Sequence, residues 1–316
     1  MIKEFFLLDN NIYRGLSRSM KLQDIPHKAL EFCKAEWKIG MQSICSIIVA
    51  IEMISHLGKN DPEREECFKA LCLLRYHTFS SELHKRRVVA YPMEDVLTFF
   101  FLNKNFIHFD NYNEIIRLME LLTIDLDISV CDRYFVAIQE VNDKRRVFRE
   151  RLVLQAKNML IESGLDWDSF TQPKISRDKI LKAYNLKRLE AFQKGEGIGP
   201  IAKLLIDLTY TSAGIPNYSI PAKDKLGNYL KIFQAPLRMY NLLMKKIGEA
   251  PTIQNYNAER WNTVNDMHLL FNVCDPRFDN LLMVTEDKEI IACMQTTDGM
   301  ESKVGKLADY FSLIGI

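Results

Sequence analysis

The 316-residue sequence contains no CxxC pair, and none of its seven cysteines, at 33, 45, 67, 72, 131, 274 and 293, joins a histidine at zinc-like spacing. That excludes a zinc ribbon or finger. An odd, scattered set reads as reduced thiols in a core rather than a disulfide framework. The GxSxG and HExxH signatures of serine hydrolases and zinc proteases are missing as well. The one glycine-rich stretch, "GEGIGP" at 195–200, lacks a following Lys-Ser/Thr and a preceding strand, so it reads as a helix-starting turn and not a P-loop. No apolar run reaches the ~20 residues of a membrane span; the best, "SICSIIVAIEMI", is interrupted by Glu52. Lys3 and Glu4 precede only four apolar residues, too few for a secretory signal. The expectation is a soluble, cytoplasmic protein with no membrane partner. The formal net charge of +1 excludes a chain that is strongly basic or acidic as a whole.

What is present suits a packed core. Apolar residues make up 47% and aromatics 10%, enough for one large domain or two smaller ones. "KEFFLLD" reads as a short strand buried on both faces and closed by turn formers. A helix follows over about 25–37, with Ala29, Leu30, Phe32 and Cys33 on one side, and "MQSICS" reads as a second strand. Ser46 is placed to cap a helix through "IIVAIEMISHL", which Gly58 ends. Strand, helix, strand, helix predicts a parallel sheet. From about 61 to 256 long helical periodicities dominate, without a repeat or low-complexity tract. The end returns to mixed types: helical "NAERWNTVNDMHLLFNV", strand "DNLLMVTED", helix "KEIIACM". The expected architecture is therefore α/β, with a core split between 1–57 and 256–316 and a helical insertion over 58–255. Charge follows a similar division. Residues 1–55 with 256–316 hold 12 basic against 16 acidic residues, and the stretch between holds 30 against 25. An acidic core beside a basic insert is how a metal site serving a polyanion would be charged.

Four acids stand out by position. Asp9 ends the first strand and Asp287 follows the strand "LLMVT"; Glu52 lies in the helix after the second strand, and Asp266 in the helix leading to "LLMVT". The carboxyl ends of parallel strands share one edge, where sites form. Carboxylates forced together repel and must take up protons or cations. A set with only oxygen donors suits Mg²⁺ or Mn²⁺, ions that activate water and neutralise charge on a phosphodiester. Asp275 and Asp279 lie nearer the strand than Asp266 and offer alternatives, although Asp275 reads more simply as part of a helix-ending loop.

Together "FLLDNNIY", "IVAIEM", "NDMHLLFNV" and "LLMVTEDKEI" resemble the PIN domain family of metal-dependent nucleases. The resemblance implies a PIN-like three-layer core around a central parallel sheet, with Asp9, Glu52, Asp266 and Asp287 as catalytic, metal-binding acids. It implies that Asn11 holds the first loop and that the Thr285 hydroxyl positions Asp287 or a water. Asn10 stands where the family usually has Thr or Ser, and the large helical insertion is a second departure. The implied activity is Mg²⁺- or Mn²⁺-dependent hydrolysis of RNA, single-stranded or looped, by an endoribonuclease with a possible protein regulator. The basic runs containing Lys85, Arg86 and Arg87 and Lys144, Arg145 and Arg146 are the candidate RNA grip; singly, each reads as a solvated helix face. The rival reading is a PIN-like binding or regulatory module without turnover, whose helical insert recruits a partner. Among the histidines, His56 reads as ending its helix, His268 as a surface or supporting residue, and His77 and His84 as one helix side without chemistry.

Overall fold

The five residues Glu4–Leu8 form strand β1, whose last three side chains are buried, as an uninterrupted apolar run requires when both faces of a sheet are covered. In the protein's structure, a computed structural model, the residues described are 4–79, 87–106, 109–146, 198–215, 217–219, 221–249 and 258–316. They divide into two compact units: 1–143 with 268–316, and 144–267.

The first unit is mixed α/β. Helices α1 (Asn10–Ser17) and α2 (Ile25–Lys38) follow β1 and lead to strands β2 (Met41–Ser43) and β3 (Cys45–Ser46). Helices α3 (Ile47–Ser55) and α4 (Arg64–Thr78) come next, then strand β4 (Val89–Ala90) and helices α5 (Met93–Leu102), α6 (Phe109–Thr123) and α7 (Val130–Arg133). β1 pairs in parallel with β2 on one side and with β5 (Leu281–Val284) on the other, and β5 pairs in parallel with β6 (Val304–Gly305), giving the order β2-β1-β5-β6. β3 and β4 form a second parallel pair. Only Ile44 separates β2 from β3, and its N–H still donates to Phe6 O at 2.9 Å. The segment 41–46 therefore bonds β1 on one side and β4 on the other.

Chain order along this array reverses at β1. The chain leaves β1 to build β2, β3 and β4 on one side, then returns to place β5 and β6 on the other. The parallel sheet expected from the sequence is present. The short strand β4, with Val89 and Ala90, is an element the helical reading of that region did not include. Residues 58–143, grouped by sequence pattern with the helical middle, pack in the unit that holds the sheet. α4 brings Cys67, Phe68, Leu71 and Leu74 into its core.

The second unit is helical: α8 (Ile198–Ser212), α9 (Lys223–Ile232), α10 (Gln234–Glu249) and the first part of α11 (Ala258–Val273). Ile201, Leu205, Tyr229, Phe233, Leu237 and Tyr240 are buried in it. The boundary between the units falls within α11, after Met267. Helices α12 (Lys288–Gln295) and α13 (Leu307–Ile314) complete the first unit. Among the described residues no helix is long and apolar enough to cross a membrane, and the seven cysteines are free thiols, six of them buried.

Candidate metal centre

Asp9 leaves the carboxyl end of β1 in an extended conformation and serves as N-cap of α1, its Oδ1 accepting from Ile12 N–H at 2.8 Å. Asp287 does the same for β5 and α12: Oδ1 accepts from Glu289 N–H (2.8 Å) and Ile290 N–H (2.9 Å). Strand-end acids are natural caps, because each satisfies N–H groups that the first helical turn leaves open. Capping alone would explain both residues if they stood apart.

They do not stand apart, and Thr285 ties them. Its hydroxyl donates to Asp9 Oδ2 and accepts from the Asp287 N–H at 2.9 Å. Thr285 is fully buried and fixed by its own N–H to Gly305 O at 3.0 Å. One side chain thus orients the carboxylate at the end of β1 and the backbone that presents the carboxylate at the end of β5.

Asp9 is only 3% exposed. Burial pushes its carboxyl up to about 7; the Thr285 hydroxyl and the Ile12 N–H oppose this, and the charges of Glu52 and Asp287 add to it. Three of the four expected acids therefore bear on one another within the first unit. Their free acceptor capacity differs. Both Asp9 oxygens hold one donor each, no donor among the described residues reaches Asp287 Oδ2, and the half-buried Glu52 carboxylate accepts no hydrogen bond and joins no ion pair there. Asp266 is half-buried on α11 and belongs to the second unit.

Among the described residues no group of three or more His, Cys, Asp or Glu side chains is gathered closely enough to hold a metal ion as placed. Like charges with no cation between them are expected to stand off. The donor chemistry fits a hard divalent ion: carboxylate oxygens, two of them ready-oriented by helix caps, with unused lone pairs on Glu52 and Asp287.

Asn10 follows Asp9 directly and begins α1. This residue, taken as a departure from the usual Thr or Ser, is 5% exposed, and its Oδ1 is buried without a hydrogen-bond donor among the described residues. Asn11, expected to hold the loop, is exposed on the first turn of α1. The sequence does not separate the two asparagines; the helix cap at Asp9 does, because it fixes which of them turns inward.

Several other expectations meet a definite placement. Asp275 and Asp279 precede β5 and so lie toward the opposite strand ends from Asp287. Asp275 is also held by Arg277 (Nη2 to Oδ2, 2.6 Å), whose Nη1 reaches the buried Asp95 at 2.7 Å. That cation keeps both acids occupied and fixes the loop entering β5. His268 is buried rather than at the surface. Its Nδ1 accepts from Met93 N–H at 3.2 Å, and burial pushes its pKa down to about 3. His56 is the C-cap of α3 and pairs with Asp61 (3.1 Å) and Glu63 (3.5 Å). Ser46 occupies the N-cap position of α3, but its hydroxyl bonds Asn272 Oδ1 at 3.2 Å and not the helix end.

Of the basic residues, Arg87 is bound to Glu120 at 2.6 Å with its guanidinium over the Phe79 ring. Lys144, Arg145 and Arg146 belong to the second unit. Lys85, Arg86, His84 and residues 195–197 of the glycine-rich turn lie outside the described residues.

One larger polar cluster gave no signal in the sequence. Glu36, at 0% exposure, accepts from Ser43 N–H (2.9 Å), Ser43 Oγ (2.6 Å), Tyr310 OH (2.8 Å) and His77 Nε2 (3.0 Å). His77 Nδ1 is in turn paired with Tyr13 OH at 3.3 Å. Burial raises the Glu36 pKa, but His77, Ser43 and Tyr310 outweigh it and hold the carboxyl below its ordinary value.

Compared with known proteins, the chain matches no family model, no curated protein and no solved structure.

Proposed function

We propose that this chain is a Mg²⁺- or Mn²⁺-dependent ribonuclease with a PIN-like α/β core. The observation that carries the reading is that Asp9 and Asp287 end the adjacent parallel strands β1 and β5, tied by Thr285, and that the buried Asp9 feels the charges of both Asp287 and Glu52. In open parallel sheets that is the point where chain order reverses and where ligands bind. An acid buried there beside two others is destabilising without a ligand and becomes favourable with a cation.

Asp9, Glu52 and Asp287 would hold the ion; when bound, it supplies Lewis acidity and neutralises charge developing on a phosphodiester. Asp9 must release its proton to serve. Thr285 keeps its own proton directed at Asp9 Oδ2, which fixes the orientation of that carboxylate. Glu52, without a donor of its own among the described residues, is free to accept hydrogen bonds from water. RNA as substrate, a cytoplasmic setting and a regulatory protein partner rest on the family resemblance alone.

A second reading, a PIN-like binding module without turnover, is favoured by one observation: Asp9 and Asp287 each cap a helix, a task that needs no cation. Cleavage of single-stranded RNA by the purified chain in Mn²⁺ separates the two. On the nuclease reading, Asp9→Asn and Asp287→Asn each lower the rate on the order of 100-fold or more while circular dichroism stays unchanged. A chain that cleaves no RNA with Mn²⁺ present is the module.

A further inference from the structure

The buried Glu36 cluster is more than the core needs. A carboxylate taken wholly out of water is seldom more stabilising than apolar side chains of the same volume. What a satisfied buried network does supply is fixed geometry. Glu36, on α2, accepts from Ser43 on β2, His77 on α4 and Tyr310 on α13, and the other ring nitrogen of His77 meets Tyr13 on α1. Elements from both ends of the chain are thereby joined at one carboxylate.

Two arms lead from Glu36 to Asp9. In the first, His77 pairs with Tyr13, whose backbone N–H donates to the Asp9 carbonyl at 3.3 Å in the first turn of α1. In the second, the Tyr310 hydroxyl donates to Glu36 Oε1 at 2.8 Å and seats α13. Only Lys306 separates α13 from β6. The Gly305 carbonyl of β6 accepts from the Thr285 N–H at 3.0 Å, and the Thr285 hydroxyl holds both Asp9 Oδ2 and the Asp287 N–H. The second arm thus runs from the last helix of the chain to the residue that ties the two strand-end acids.

α13 itself is lightly held. Of its eight residues Tyr310 and Ile314, four apart on one face, are buried, whereas Leu313 is 50% exposed. Among the described residues its polar ties to the rest of the unit are two, Tyr310 to Glu36 and the Leu307 N–H to Glu286 Oε1 at 3.1 Å. A terminal helix with so small a buried face opens locally at lower free energy than the core.

We propose that α13 is a conformational strap. Docked through Tyr310 on Glu36, it holds β6 and Thr285 in the arrangement that orients Asp9 and Asp287; undocked, it releases them. Tyr310 and Glu36 are then positioning residues for the strand-end acids, acting through a contiguous set of hydrogen bonds. The strap goes beyond the proposed reaction and involves no cation.

Amide hydrogen exchange of the full chain, read residue by residue by NMR without divalent ions, tests this. Tyr310→Phe removes only the hydroxyl. It is expected to speed exchange of the α13 amides and of the Thr285 and Asp287 N–H groups at least about tenfold, as the loss of one hydrogen bond to a charged group predicts. Amides in the middle of α4, such as Leu74, are expected to exchange as in the parent. Ile314→Ala, which loosens α13 without touching Glu36, is expected to act in the same way, and Leu313→Ala to change nothing. If α13 exchanges faster in both loosening variants while Thr285 and Asp287 do not, the helix frays without governing the acids and the strap is overturned. If the α4 amides speed up by the same factor in both, α13 opens only with the whole unit, and the strap is overturned again. Either failure leaves the cation site standing, because no ion takes part in the measurement.

Discussion

Asp9 and Glu36 are two acids of one unit, both taken out of water, and they have opposite fates. Glu36 collects four donors, including His77, and is held below its ordinary pKa. Asp9 collects two, faces two other acids, and is pushed up to about 7. Burial raises both; the neighbours decide the sign. A buried carboxylate whose lone pairs are filled by surrounding donors is part of the scaffold. One left short of positive charge at strand ends marks a candidate functional site. Three perturbations bear on that contrast.

The largest effect belongs to the scaffold acid. His77→Leu leaves Glu36 buried with a donor lost, and should destabilise the fold by roughly 3–5 kcal/mol in urea denaturation. Removing the charge as well, in Glu36→Gln with His77→Leu, should cost less than His77→Leu alone. Equal costs would mean that Glu36 does not depend on His77.

Asp9→Asn is next, and it runs the other way. Between its unfolded value of 3.8 and its folded value of about 7, Asp9 keeps a proton in the native state that the unfolded chain has released. Stability from this group is therefore present at low pH, falls as pH rises through that window, and is level above about 7. Without divalent ions, Asp9→Asn should match the parent near pH 4 and exceed it by roughly 2–4 kcal/mol at pH 8, at ~1.4 kcal/mol per unit of pKa. Glu36 has the opposite slope, since its contribution is lost as pH falls through its lowered pKa. Thermal melts from pH 4 to pH 8 measure the difference; a gap that does not change with pH would reduce Asp9 to an ordinary cap.

Thr285→Val should have the smallest effect, a loss of about 1–2 kcal/mol, because it removes one donor from Asp9 and one acceptor from the Asp287 N–H. It should also move the Asp9 titration, read by NMR, to higher pH. An unmoved titration would show that Thr285 packs but does not orient the carboxylate.

Much of the first unit could be read from local pattern. "FFLL" before Asp9 and "LLMV" before Thr285 signal buried strands that stop on helix caps, and they are β1 and β5. Their acids share an edge because the strands are parallel, and strand–helix alternation announces parallel pairing. Strand β4 was hidden because two residues carry no period. His268 read as a surface or supporting residue, and its hydrogen-bond partner, the Met93 N–H at the start of α5, lies 175 residues away in sequence. The Glu36 cluster gave no signal for the same reason: its partners lie 7, 41 and 274 residues away.

By itself the sequence determined where strands end and which acids stand at those ends, because turn chemistry and apolar runs act over a few residues. Tertiary structure decided which buried acid would be satisfied and which would be left short of positive charge. It also decided which of two adjacent asparagines would turn inward. Those outcomes depend on desolvation and on donors from distant segments, and neither exists until the chain has closed around them.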